Sequence, residues 1–146
     1  VLADPQPPLD SVPLPRQRPA MMQSVTFVAL GGAIGASLRY LAGLAVVRLV
    51  GHTSFPVAIL TVNVLGSLLM GVFVVAAANR GLTHLSPLVM TGMLGGFTTF
   101  STFSLETVNL IERGDLGQAA LYVGLSVVVS VAALLLGMTL ARGVFA

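Results

Sequence analysis

The sequence predicts an all-α membrane protein with four transmembrane helices per chain, the third of them broken. Only 8% of the 146 residues are charged, whereas soluble domains carry about 25%. The mean hydropathy is +0.97, so a water-facing surface cannot be covered and an ordinary soluble enzyme is excluded. Strands of a membrane β-barrel would show segments of about ten residues with alternating polarity, a pattern that this sequence lacks.

Four apolar stretches are each long enough to cross a hydrocarbon core about 30 Å thick, which takes roughly 20 helical residues. The predicted helices span about 24–49, 55–79, 85–110 and 116–142. Short polar connections make successive helices antiparallel neighbours. We expect Pro56 and Pro87 in the first turns of their helices, where a missing N–H costs little, and Asp115 at the N-cap of the fourth.

Residues 1–20 differ from the rest of the chain. They contain six of the eight prolines, which predicts an extended, flexible N-terminal tail followed by a transmembrane domain over 21–146. The segment lacks the apolar core of a signal peptide, and Met21 is a candidate start of the domain.

The charges give little instruction about orientation. Arg16, Arg18, Arg80 and Arg142 fall on one side of a four-span chain, and Arg48 and Arg113 on the other. The two sides carry four and two arginines, or two each when the tail is left out. The positive-inside rule therefore gives almost no preference for either orientation. Either a small protein gives a noisy count, or the chain inserts both ways up and forms an antiparallel dimer. Seven scattered arginines are too few for a nucleic-acid surface.

Polar side chains occur at depth in two spans. Asn63 lies well inside the second helix, with Ser67 one turn later. Tyr122, Ser126 and Ser130 form one stripe on the fourth helix, at i, i+4 and i+8. Such groups either hydrogen-bond between packed helices or line an aqueous path.

The third helix carries the most specific pattern, Gly95-Gly96-Phe97-Thr98-Thr99-Phe100-Ser101-Thr102-Phe103-Ser104. Adjacent glycines weaken a helix by about 1 kcal/mol each relative to Ala, and the following hydroxyls compete for backbone bonds. We therefore expect a broken helix whose freed carbonyls can coordinate a cation; a packing kink is the alternative. Two further pairs, Gly31/Gly35 and Gly92/Gly96, have the spacing that brings helices close.

The available chemistry favours a small anion. The middle of each span has no Asp or Glu, residues that cation pathways normally place at depth. The groups that remain in the spans are hydroxyls, one amide and phenyl rings, whose edges carry the positive part of the ring quadrupole. Four helices are too few to enclose a path, so a partner subunit must complete the wall. Without cysteine, and with His52 and His84 isolated in loops, the sequence predicts no catalytic or side-chain metal centre and no organic cofactor.

These motifs resemble the Fluc (CrcB-type) fluoride channels over about 24–142. The matching blocks are 31–36 with Arg39 and Tyr40, then 61–67, and 95–103; the last is the most specific. The resemblance implies an antiparallel, dual-topology homodimer in the cell inner or plasma membrane. It also implies two fluoride pores and a central structural Na⁺.

The resemblance also implies roles for individual residues. Phe100 and Phe103 match the phenylalanines whose edges line the anion path, Asn63 matches the pore asparagine, and Tyr122, Ser126 and Ser130 match the polar track. Backbone carbonyls of Gly95 and Thr98 match the Na⁺ positions. Arg39 matches a vestibule arginine, and Glu106 a residue near the mouth. We add the hydroxyls of Ser101 and Thr102 to the predicted anion pore.

The function expected on this basis is passive, fluoride-selective export that relieves fluoride toxicity. A small dual-topology, proton-coupled drug exporter is the alternative, but it would need an acid deep in the first helix, where Arg39 stands instead. A structural membrane subunit, in which the polar residues only bind helices together, is a third.

Overall fold

The computed structural model describes residues 18–145, with side chains from residue 21 onward. Three spans are continuous α-helices: α1 (Arg18–Val50), α2 (Val57–Arg80) and α5 (Leu116–Phe145). Together with the span Thr83–Glu112, they make four helical segments long and apolar enough to cross a membrane. Within the described residues, the predicted all-α fold with four spans is confirmed.

The third span is built from several pieces. A 3₁₀ turn at Thr83–Leu85 leads into a π-helix at Pro87–Leu94, followed by the single turn α3 (Gly95–Phe97) and then by α4 (Phe100–Glu112). Thr98 (φ −81°, ψ 160°) and Thr99 (φ −151°, ψ 119°) are extended between α3 and α4. The predicted break is therefore present.

Helix α1 packs against the π-helix and α3, with glycines at the contact. A Cβ on Gly31 would meet the backbone of Leu88 and Met93, and one on Gly35 would meet the backbone of Met93 and Phe97. A Cβ on Gly96 would lie 2.8 Å from the carbonyl oxygen of Gly32. Both predicted glycine pairs thus bring α1 and the third span together.

This packing distinguishes the two causes expected for the break, namely the glycines and the hydroxyls that follow them. Gly95 and Gly96 are helical, and the backbone leaves the helix only at Thr98. A glycine weakens a helix because its backbone loses more conformational entropy on folding than that of other residues, but Gly96 offsets this cost by allowing close contact with α1. The glycines position the first half of the span, and the threonines interrupt it.

The opposite side of the fold is the long contact between α2 and α5, which the sequence analysis did not single out. A Cβ on Gly71 would collide with the backbone of Leu134, and one on Gly137 with that of Leu68. The close approach of α2 and α5 therefore uses one glycine from each helix.

Several predicted boundaries shift. Helix α1 begins at Arg18 rather than 24, α2 begins at Val57 because Pro56 is its N-cap, the third span covers Thr83–Glu112 rather than 85–110, and α5 continues to Phe145. Asp115 precedes α5, and its carbonyl oxygen accepts the Ala119 N–H at 2.9 Å. The expected proline-rich tail over 1–20 lies outside the described residues apart from the first turn of α1.

Substitution of Gly35 tests the close helix contact. Gly35→Ala should destabilise the detergent-solubilised protein by about 1–3 kcal/mol, because the added methyl group overlaps backbone that cannot move independently. Thermal unfolding, monitored by size-exclusion chromatography, measures the loss of stability. Gly43→Ala is the matched control on α1, because its Cβ would meet no atom within 4 Å in the described chain. Equal melting of the two variants would contradict this account of the contact.

Candidate functional site

Asn63 of α2 pairs with the backbone at the break. Its Oδ1 accepts the Thr99 N–H at 2.8 Å, and its Nδ2 donates to the Thr99 carbonyl at 3.1 Å. One side-chain amide thus satisfies both polar groups of a residue that no longer belongs to a helix. A primary amide has two N–H donors, so a second donor of Asn63 remains after this pairing.

The Thr99 side chain starts the next helix. Its Oγ1 accepts the Thr102 N–H at 3.2 Å, which is the N-cap bond of α4. It also donates to Thr102 Oγ1 at 3.0 Å and lies 3.3 Å from Ser101 Oγ. The hydroxyls of Ser101 and Thr102 are therefore part of a capping cluster around Thr99. The Thr99 hydroxyl binds a backbone N–H, as the sequence analysis expected of the hydroxyls that follow the glycines.

The break also removes the helical partners of two carbonyls. In an uninterrupted α-helix, Gly95 would accept from Thr99 N–H and Thr98 from Thr102 N–H, but both donors are bound elsewhere. Arg39 Nη1 lies 3.5 Å from the Thr98 carbonyl oxygen. The predicted vestibule arginine therefore reaches the break from α1.

A pocket of about 340 Å³ lies beside the break, between α2, α4 and α5. Its wall contains eight polar and aromatic residues, namely Asn63, Ser67, Thr98, Thr99, Phe100, Phe103, Ser126 and Ser130. Gly66, Met70 and Leu134 contribute apolar surface. The structure thus brings five predicted pore residues into one wall, and adds Ser67.

Three hydroxyls on α5 lack hydrogen-bond partners. Tyr122 Oη, Ser126 Oγ and Ser130 Oγ are buried and have no partner among the residues that the structure describes. A buried unpaired hydroxyl costs about 1–3 kcal/mol, so we expect water, a ligand or a partner subunit to supply the missing hydrogen bonds. Ser126 and Ser130 line the pocket, where a ligand could do so.

Four aromatic rings form a continuous row. The ring centroids of Phe100 and Phe103 are 5.4 Å apart, and those of Phe103 and Tyr122 are 5.3 Å apart. Phe55 meets Tyr122 edge to face, at 5.7 Å and 90°. Tyr122 does not line the 340 Å³ pocket but adjoins it through Phe103.

Glu106 lies in a different place. It lines a second pocket of about 170 Å³ at the end of the helices, which we call the end pocket, together with His52, Ser54, Phe55 and Arg113. Arg113 Nη2 donates to the Ser54 carbonyl at 2.9 Å. The role of Glu106 near a pore mouth stays a prediction. Phe55 carries no polar or spacing signal by which the sequence could have identified it.

The comparisons with known proteins agree with this architecture. The family model described as "CrcB-like protein, Camphor Resistance (CrcB)" matches residues 26–138. A Ruegeria sp. (strain TM1040) protein is 68% identical over 124 residues, covering 85% of this chain and 98% of its own. An Agrobacterium fabrum protein is 47% identical over 126 residues, covering 85% and 100%. Both are named "Fluoride-specific ion channel FluC". The chain belongs to the CrcB-like family.

Proposed function

We propose that the chain forms a passive, fluoride-selective channel that exports fluoride from the cytoplasm. The observation that carries the proposal is the file of buried, unpartnered hydroxyls beside the Phe100 and Phe103 rings. Its relatives' name supports the choice of ion. HF that enters from acid surroundings dissociates in neutral cytoplasm, and a channel lets the trapped anion leave down the membrane potential.

Fluoride is small and strongly hydrated, so a pore must replace several water hydrogen bonds at once. The hydroxyls of Ser126 and Ser130 and the remaining N–H of Asn63 are neutral donors directed at one pocket. Phenyl edges add weak positive potential. A fixed cation in the narrowest part would hold the anion too tightly, and the nearest guanidinium, on Arg39, contacts the Thr98 carbonyl instead.

The proton-coupled exporter has no support in the described spans. The only carboxylate inside a span away from a helix end is Glu106 of α4, and the described part of α1 contains none. Such an exporter would need a titratable group deep in the pocket, and the pocket wall lacks one.

A second copy completes the path. Phe100 is 79% exposed in the single chain although it lines the pocket, so a wall is missing on this side. Similar positive charge at both ends, with Arg48 and Arg113 against Arg80 and Arg142, allows either insertion. An antiparallel, dual-topology homodimer with two pores in the plasma or inner membrane accommodates both features.

The donor set at the break fits a structural Na⁺. Carbonyl oxygens are ligands for hard cations, and those of Gly95 and Thr98 have lost their helical partners. Two carbonyls per chain are too few for a hard cation, so two copies would supply the set. Bound there, Na⁺ would neutralise carbonyl dipoles at the dimer centre.

The direct test is efflux from liposomes that contain only this protein. We expect fluoride to leave rapidly and chloride to remain, as measured with ion-selective electrodes. Release of chloride at the same rate would contradict selectivity. No release of either ion above protein-free liposomes would favour the structural-subunit alternative.

Asn63→Asp tests the pore assignment. It replaces an N–H donor with a carboxylate that opposes the Thr99 carbonyl and repels an anion, and a buried carboxylate costs about 3 kcal/mol. Fluoride efflux should fall about a hundredfold. Asn79→Asp, the same change on an exposed residue near the end of α2, is the control. Unchanged efflux in a folded Asn63→Asp protein would refute the assigned pore.

The Na⁺ site predicts a salt-specific stability. The melting temperature of the dimer should fall by several degrees when Na⁺ is replaced by N-methylglucamine at equal ionic strength, because a ligand bound only by the folded state stabilises it. K⁺ should restore less stability than Na⁺. Identical melting curves in all three salts would argue against the site.

Dual topology can be tested by labelling single introduced cysteines, since the natural chain has none. His52→Cys and Thr83→Cys lie in exposed loops on opposite membrane faces. In intact cells, a membrane-impermeant thiol reagent should label about half of each variant, relative to permeabilised cells, when insertion is unbiased. Full labelling of one variant and none of the other would show a single orientation.

A further inference from the structure

The row of hydroxyls on α5 leads toward one end of the molecule. From Leu134 the pocket wall passes Ser130 and Ser126, and the next hydroxyl one turn further on belongs to Tyr122, which is fully buried. On α2 the same direction leads from Met70 through Ser67 and Asn63 toward the start of the helix. Polar groups are thus concentrated toward the end that carries the first and third connections, and apolar ones at the opposite end of the pocket.

The hydroxyl row stops at a closed contact. The Tyr122 ring lies between Phe103, at 5.3 Å, and Phe55, at 5.7 Å. Leu110 and Ala119 are buried against it, and Leu60 packs on the same cluster. Phe55 lines the end pocket on the other side. The row of rings Phe103–Tyr122–Phe55 therefore connects the 340 Å³ pocket, which we call the hydroxyl-lined pocket, with the end pocket.

We propose that Phe55 sets the barrier through which fluoride passes between the hydroxyl-lined pocket and the end pocket. The proposal rests on the channel function proposed above and names a further residue that controls permeation. The anion leaves the Tyr122 hydroxyl when the Phe55 ring turns aside and then enters the end pocket, where Arg113 and Glu106 stand.

Three hydrogen bonds hold the backbone around Phe55. The Phe55 carbonyl accepts the Thr53 hydroxyl at 2.7 Å and the Val57 N–H at 2.8 Å. The preceding carbonyl, of Ser54, accepts Arg113 Nη2 at 2.9 Å. Because these bonds hold the connection to α2 in place, opening requires rotation of one half-buried side chain and no movement of a helix.

A size series at position 55 tests the barrier. Relative to the natural chain in liposomes, Phe55→Ala should speed fluoride efflux about fivefold, because the edge-to-face contact is lost. Phe55→Leu should give a smaller increase, and Phe55→Trp should slow efflux. Phe73→Ala and Phe73→Trp are the matched controls, since Phe73 lies on α2 but lines neither pocket.

The order of the rates separates a barrier from a packing role. Lost packing would lower efflux for both the smaller and the larger side chain, whereas a barrier gives changes of opposite sign. Any order other than Ala, Leu, Phe, Trp from fast to slow, including equal rates, overturns the proposal. If the alanine variant does not fold, the comparison of Leu with Trp decides.

A second readout does not depend on fluoride. Ser126→Cys introduces the only thiol, behind the ring pair, and iodoacetate alkylates its thiolate with release of iodide. Alkylation should be several-fold faster with Phe55→Ala than with Phe55 intact, and equal rates overturn the proposal. If the natural chain passes no fluoride but this difference is found, the proposed function fails, and Phe55 is a barrier to a small organic anion rather than to fluoride.

Discussion

The pairing of the Asn63 side chain with both backbone groups of Thr99 is the interaction on which the rest of the site depends. An interrupted helix at membrane depth leaves polar groups without water to bind them, and each unsatisfied group costs several kcal/mol. Asn63 supplies the missing acceptor and donor at 2.8 and 3.1 Å. The Thr99 hydroxyl then caps α4. Two side chains thus replace helical bonds lost at the break.

Three features follow from this local exchange. The carbonyls of Gly95 and Thr98 lose their helical donors; α4 begins anew, with Phe100 and Phe103 on the pocket wall; and the second N–H of Asn63 is left beside them. The glycine contacts between α1 and the first half of the span hold that half in place, so the direction of α4 is set at Thr98 and Thr99. The proposed Na⁺ site and the proposed anion pore therefore have one structural cause.

The parts of this architecture that depend on large, local energies could be predicted from sequence. Burying a charge in a membrane is costly wherever it occurs, so uncharged runs located all four spans. The stripe of Tyr122, Ser126 and Ser130 follows from helical spacing alone. The position of the break could not be obtained in this way, because Gly96 is stabilised by contact with Gly32 and Thr99 by Asn63, and both contacts join distant parts of the chain. Phe55 was missed for the same reason, since a phenylalanine near a helix start is unremarkable until Tyr122 is placed beneath it.

The unpaired hydroxyls also constrain what the pocket can be. Among the described residues, three buried hydroxyls have no partner, at a cost of several kcal/mol that alanine or valine at these positions would not incur. In the proposed channel, the anion recovers this energy as it replaces its hydration shell. Since every donor is neutral, the gain at each position is modest, and an ion that binds one hydroxyl can move to the next. Conduction requires binding that is strong enough to remove water from the ion and weak enough to release it. Neutral hydroxyl donors meet both requirements.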